Sequence, residues 1–218
     1  MKKYIAELIG TFALVFCGTG AIVINQETNG SVTHIGVAIT FGLIVMSMIY
    51  ALGNISGAHF NPAVTIAFTV AKRFSFKNVL PYIIAQLTGA FIASIVLKFL
   101  FPENLLLGTT LPAGSAMQSF ILEFILSFIL MFVIITVAHG SKEQGMLAGI
   151  AIGSVVLLEA MFAGPISGAS MNPARSIAPA IISGNFQHLW IYIFAPTMGM
   201  SLSIGVWRYL KNGKPTNE

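Results

Sequence analysis

The chain has 218 residues, 56% of them hydrophobic and 8% charged, with no aspartate and a mean hydropathy of +0.87. Soluble domains devote about a quarter of their residues to charge, so a water-soluble fold is excluded and a lipid bilayer is the expected solvent. The net charge of +4 comes from basic residues scattered over short loops rather than along one face, which argues against a nucleic-acid partner, and the lone Cys17 excludes an intrachain disulfide.

In chain order, the first long apolar run covers residues 4–24. It follows Lys2 and Lys3 as a secretory leader would, but Glu7 interrupts it and the segment recurs later in the chain. A second run, 34–53, is followed by Asn61-Pro62-Ala63, which opens a short apolar stretch over 61–71. Runs at 79–101, 117–138 and 145–163 come next, then Asn172-Pro173-Ala174 opening a stretch over 172–183, and a last run over 188–210. At about 20 residues per crossing, six spans with short loops fill the length, as a single membrane domain. The two stretches that begin at Asn-Pro are too short to cross at about 1.5 Å per residue and read as re-entrant half-helices.

The chain is an internal duplication. Ser56-Gly57-Ala58-His59-Phe60-Asn61-Pro62-Ala63 returns 111 residues later as Ser167-Gly168-Ala169-Ser170-Met171-Asn172-Pro173-Ala174. Glu7 pairs with Glu123, and Gly89 with Gly199. Each half, 1–110 and 111–218, carries three spans, so the second enters from the opposite side and the repeat is inverted. With the N-terminus in the cytoplasm, Lys2, Lys3, Lys72, Arg73, Lys77, Lys142, Arg208, Lys211 and Lys214 all lie inside. The expectation is therefore a multi-pass protein of the cell membrane (plasma or inner) with both termini cytoplasmic.

Irregular backbone at membrane depth survives only where protein buries it or it lines a watery cavity. Asn is a preferred N-cap and Pro suits the first helical position, so Asn-Pro-Ala is a sound helix start. In an inverted repeat two such starts meet near the midplane, each with about half a positive charge from its dipole, which repels cations. Amide hydrogens of Asn61 and Asn172 can both donate to one passing oxygen, turning its hydrogens outward and breaking a proton wire.

Two copies of Asn-Pro-Ala within six spans, the second continued as Arg175-Ser176, resemble the aquaporin or major intrinsic protein family over almost the whole chain. The resemblance implies an hourglass fold: all-α, with six transmembrane helices and two half-helices. It further implies a homotetramer in the lipid bilayer, no cofactor, no metal, and passive passage of water and small neutral solutes. It also implies a second constriction, the aromatic/arginine filter, at Phe41, Ala160, Ala169 and Arg175. Water-selective members carry His where Ala160 stands, and glycerol facilitators carry Trp with a second aromatic. This filter is expected to be wider than a water filter and moderately apolar. Residues 161–165 (MFAGP) and Tyr192-Ile193 are most similar to the nodulin-26-like branch, which passes glycerol, ammonia and metalloid hydroxides such as arsenous, boric or silicic acid, and water weakly. The commonest filter of that branch has Trp at the position of Phe41, so the solute stays open.

Glu7 and Glu123 are intramembrane carboxyls, expected to brace the irregular backbone before each half-helix. Glu159 adjoins Ala160 but lies about 100° around the helix from it, so it is expected to turn from the lumen and brace structure, with a proton-linked role as the alternative. His59 is expected in the inner vestibule, as a plain polar contact or as a titratable gate. His34, His139 and His188 sit at span ends and are given no chemistry. Gly10, Gly89 and Gly199, with Thr11, Ala93 and Ser203, suit close helix crossings. No catalytic triad, phosphate loop or metal-ligand cluster occurs, so an enzyme is not expected. The alternatives to a solute channel are a water-selective channel and, less favoured, a proton-coupled transporter.

Overall fold

In a computed structural model, which describes residues 1–212, the chain is entirely helical outside its turns and loops. The helices are α1 (Lys2–Glu27), α2 (Thr33–Ser56), α3 (Pro62–Val70), α4 (Val79–Leu100), α5 (Ala116–Ala138), α6 (Lys142–Met146), α7 (Ala148–Ser167), α8 (Pro173–Ser183) and α9 (Leu189–Asn212). Six of them are long and apolar enough to cross a bilayer, and α3 and α8 are the two half-helices. Lys214 lies outside the described residues.

Packing is repeated between the halves. Helix α1 lies along α4 as α5 lies along α9. A Cβ at Gly89 would come within 2.2 Å of the Leu8 carbonyl oxygen, and one at Gly199 within 2.2 Å of the Phe124 carbonyl oxygen, so both pairs cross in backbone contact. The halves meet along α2 and α7, where a Cβ on Gly42 would sit 2.7 Å from the Gly153 carbonyl and one on Gly153 would sit 2.7 Å from that of Gly42. A contact that reads the same from either side is the mark of a two-fold relation, and it is the packing expression of the inverted repeat. Each half-helix crosses over, α3 packing on α9 and α8 on α4, so neither half closes its core alone.

The ends of the helices follow local chemistry. Helices α2 and α7 stop at Gly57 and Gly168, at φ of 87° and 85°, the left-handed conformation that terminates a helix at least cost in glycine. Helix α7 starts after the short α6, whose Ser141 and Gln144 form a capping box, and it runs past the expected end at 163 despite Pro165. Proline removes the N–H that would bond the carbonyl four residues back. His34 Nε2 donates to that Met161 carbonyl at 2.7 Å, so His34, given no chemistry from sequence, restores the bond Pro165 removes.

Large apolar side chains such as Ile5, Ile84, Ile121 and Leu202 are exposed on the outer helix faces, while the interior holds small and polar residues such as Thr11, Ser119 and Ser203. That distribution fits a hydrocarbon solvent rather than water. Most of the basic residues gather at one end: Arg208 donates to the Val70 carbonyl, Lys3 stands 5.9 Å from the Tyr82 ring, and Lys211 stands 5.0 Å from the Trp207 ring.

Candidate functional site

The two Asn-Pro-Ala segments meet inside the molecule. Asn61 (φ −155°, ψ 122°) caps α3 by accepting from Ala63 N at 2.9 Å; Asn172 (φ −148°, ψ 108°) caps α8 by accepting from Ala174 N at 3.0 Å. Each side-chain amide also crosses to the other half: Asn61 Nδ2 donates to the Met171 carbonyl at 2.7 Å, and Asn172 Nδ2 to the Phe60 carbonyl at 2.9 Å. The amides thus bolt the two half-helix starts together. Each Nδ2 retains a second hydrogen, and both asparagines border the internal passage, 5% exposed.

The backbone leading into each start is irregular in the same way, with positive φ at Ala58 (51°) and Phe60 (50°) and at Ala169 (41°) and Met171 (50°). Such residues need outside support. Glu7 accepts from His59 N at 3.0 Å and Phe60 N at 2.7 Å; Glu123 accepts from Ser170 N and Met171 N at 2.8 Å each. Both carboxyls are fully buried.

The halves differ in how the brace is completed. Gln86 donates to Glu7 at 2.8 Å and to Thr65 Oγ1 at 3.0 Å, whereas the corresponding residue, 110 later, is Pro196. Glu123 receives the Ser167 hydroxyl at 2.8 Å and has no such amide. His59 Nδ1 lies 3.1 Å from Thr65 Oγ1, and its counterpart Ser170 lies 2.6 Å from Ser176 Oγ, so serine makes the equivalent contact in the second copy. The His59 ring borders the passage and stacks on Phe68 at 4.8 Å.

A passage of about 810 Å³ runs from the α5–α7 connection, at Ser141 and Lys142, past His59 and the two asparagines to Phe41, Ala160, Ala169 and Arg175. These last four residues, expected to form a filter, all border it. Arg175 is 1% exposed; its Nη1 donates to the Gly108 carbonyl at 2.7 Å, and its guanidinium carbon stands 5.2 Å from the Phe41 ring centre, within cation–π range. The Phe41 ring is seated in a notch of α1, where a Cβ on Gly18 would lie 2.2 Å from the ring. Ala160 and Ala169 offer only methyl groups.

Glu159 does turn away from the passage, but among the described residues it braces nothing: it is 1% exposed and neither carboxyl oxygen has a hydrogen-bond partner. Glu123 already satisfies the donors ahead of α8, which leaves Glu159 no bracing role to fill. Sequence reasoning also missed Gly108, whose carbonyl holds Arg175, because a loop carbonyl contributes no side-chain signal. Gln86, by contrast, was findable as a buried amide one helix away from Glu7. At the basic end, His139 lies beside Phe68 and Trp207, at ring-centre separations of 6.1 and 5.9 Å. Burial, and then the charge of Arg73, hold its imidazole below the ordinary value. No group of three or more His, Cys, Asp or Glu among the described residues could hold a metal ion.

Residues 1–209 match the family model described as major intrinsic protein. Among curated proteins, the chain is 51% identical over 210 residues to Aquaporin NIP1-1 of Oryza sativa subsp. japonica, covering 96% of this chain and 73% of that one. It is 48% identical over 220 residues to Probable aquaporin NIP4-2 of Arabidopsis thaliana, covering 100% and 77%. Among solved structures, the X-ray structure of the aquaglyceroporin from Plasmodium falciparum superposes with a TM-score of 0.88 at 26% identity, covering 97% of this chain and 96% of that one.

Proposed function

The chain belongs to the major intrinsic protein family, and from that membership we propose that its pore passes glycerol-sized uncharged solutes and metalloid hydroxides as well as water. That it is a membrane channel of the aquaporin kind, and not an enzyme, follows from the family itself. The finer reading rests on one observation: the filter positions offer a recessed aromatic ring, two methyl groups and a single guanidinium. A solute with several hydroxyls finds donors at Arg175 and carbon surface at Phe41, Ala160 and Ala169. No imidazole at position 160 narrows the gap.

Ions are rejected by charge and by dehydration. Two helix starts carry about half a positive charge each at Asn61-Pro62-Ala63 and Asn172-Pro173-Ala174, and Arg175 adds a full one outside them. A cation stripped of water meets only positive ends there, and the remaining amide hydrogens of Asn61 and Asn172 orient a passing water so that proton hopping is interrupted. In this reading Glu7 and Glu123 brace the half-helices, and His59 is a polar wall of the inner vestibule.

The protein acts as one channel domain with halves 1–110 and 111–218, assembled as a homotetramer in the cell membrane. Both termini face the cytoplasm, since the basic residues cluster at that end. The decisive experiment is stopped-flow permeability of proteoliposomes to water, glycerol and boric acid, with Arg175→Ala alongside. The wild type conducts all three, and R175A relaxes exclusion of larger solutes. Conduction of water alone by the wild type would make it a water-selective channel and refute the filter argument.

A further inference from the structure

The Arg175 side chain is held by the Phe41 ring, 5.2 Å from its guanidinium carbon, and by one hydrogen bond. Among the described residues its only hydrogen bond runs from Nη1 to the Gly108 carbonyl, while Nε is buried without a partner. Where the guanidinium sits therefore depends on where the non-helical segment 101–115 carries Gly108.

That segment is pinned on one side to α8 and on the other to α1. Toward α8, Thr109 Oγ1 lies 3.0 Å from Ser183 Oγ and Thr110 donates to Ser176 Oγ at 2.8 Å. Toward α1, the tie is a single side chain. Asn104, 7% exposed, donates from Nδ2 to Gln26 Oε1 at 3.1 Å and to Glu27 Oε1 at 2.9 Å, while its Oδ1 accepts from Leu107 N at 2.8 Å. The Leu107–Gly108 turn held by that last bond is left-handed at both residues (φ 50° and 68°) and lies against α1, where a Cβ on Gly108 would be 2.9 Å from Thr19 Cβ. Leu107 is 1% exposed, so the turn cannot relax outward without uncovering it.

We propose that Asn104 is a positioning residue for the pore constriction, a clasp between the last turn of α1 and the outer loop that fixes the Gly108 carbonyl and through it Arg175. The chemistry asks for an amide. Two donors are needed toward Gln26 and Glu27 and one acceptor toward Leu107 N, and aspartate supplies only the acceptor. The clasp rests on the reading of Arg175 as a filter residue, and its experiment separates the two.

The test uses the full-length protein in proteoliposomes and compares permeability to glycerol with that to its larger homologue erythritol. Arg175→Ala sets the ratio of an unguarded filter. Asn104→Asp keeps the bond to Leu107 N but loses both donors and faces the Glu27 carboxylate. It should shift the ratio toward that of R175A by at least about fivefold, the factor of a single neutral hydrogen bond, since the bond lost to Glu27 has a charged acceptor and is replaced by repulsion. Adding N104D to R175A should change nothing further, because there is no guanidinium left to position. The double variant N104D/E27Q reverses the polarity of the clasp, the carboxylate now on the loop accepting from the amide now on α1 and from a flipped Gln26, and should restore the wild-type ratio. Should N104D fail to reach the membrane, Glu27→Ala, at an exposed position, removes one acceptor and should shift the ratio the same way by less. A ratio altered by R175A but not by N104D or E27A overturns the clasp alone, as does a swap that fails to restore. A ratio unaltered by R175A overturns the filter reading and the clasp with it.

Discussion

Gly18 is 23 positions from Phe41 in sequence, yet it seats the Phe41 ring on which the proposed filter depends. In Gly18→Ala the new methyl would begin 2.2 Å from the nearest Phe41 ring atom and 2.5 and 2.6 Å from two more. Carbon atoms rest at about 3.5–4.0 Å, so one partner must yield by more than about 1 Å. The backbone of α1 is locked against α4 at Gly89, whereas Phe41 clashes through the far edge of a side chain, so the ring yields. With α1 behind it, the ring moves toward Ala160 and Arg175, into the passage. The folding cost should stay within the about 1–3 kcal/mol typical of an added core methyl. The functional cost falls on the larger solute: a further 1.4 kcal/mol of barrier lowers its flux about tenfold, while single-file water is impeded less. Stopped-flow light scattering on proteoliposomes of equal channel content reads both. A G18A protein that reaches the membrane intact and keeps the wild-type glycerol-to-water ratio would show that Phe41 does not border the limiting constriction.

Three further outcomes follow from the same geometry. Ala160→His, which adds a ring where a methyl now faces the passage, should cut glycerol and boric acid permeability at least about tenfold with water largely retained, measured in the same assay. Glu123→Gln leaves one carbonyl oxygen for three donors and turns an N–H toward Met171 N; stranding that buried amide and weakening the other bonds should cost about 3 kcal/mol in denaturant titration, and solute flux should fall with it. Glu159→Gln should leave glycerol flux independent of an imposed proton gradient, as in the wild type; gradient-driven glycerol uptake abolished by this substitution would instead identify a coupled transporter.

The two braces differ because the halves supply different neighbours. Glu7 has Gln86 in its shell, but Pro196 occupies that place in the second half, where Ser167 is the third donor to Glu123. Nearby, among the described residues, Tyr192 OH, Ser127 Oγ and both oxygens of Glu159 remain without partners, whereas Tyr82, the counterpart of Tyr192, donates to the Ser56 carbonyl at 2.8 Å. In the first half Gln86 Oε1 and Ser94 Oγ are the buried side-chain atoms without a partner among the described residues, so the second half, which carries Arg175, holds more of them.

Much of this protein was determined locally and so was legible in the sequence. A bilayer admits few backbones, so apolar length alone yields six spans, and the repeated Asn-Pro-Ala yields two capped half-helices of opposite sense. The proposed bracing role of Glu7 and Glu123 was readable from a carboxyl placed at membrane depth in a chain with irregular backbone to satisfy. Contacts that depend on where distant chain segments meet were decided only in three dimensions. Gly42 and Gly153 show their purpose once α2 and α7 touch, and Gly18 once the Phe41 ring fills its notch. His34 could be understood only when Pro165 was found to orphan the Met161 carbonyl beside it. Glu159, expected to brace, has nothing to brace because Glu123 already takes the donors. The carbonyl that holds Arg175 belongs to Gly108, in a loop whose path is fixed by side-chain bonds from Asn104, Thr109 and Thr110. Periodicity and capping act between near neighbours and leave a trace in the order of residues. The seat of a loop is a long-range arrangement, and only packing fixes it.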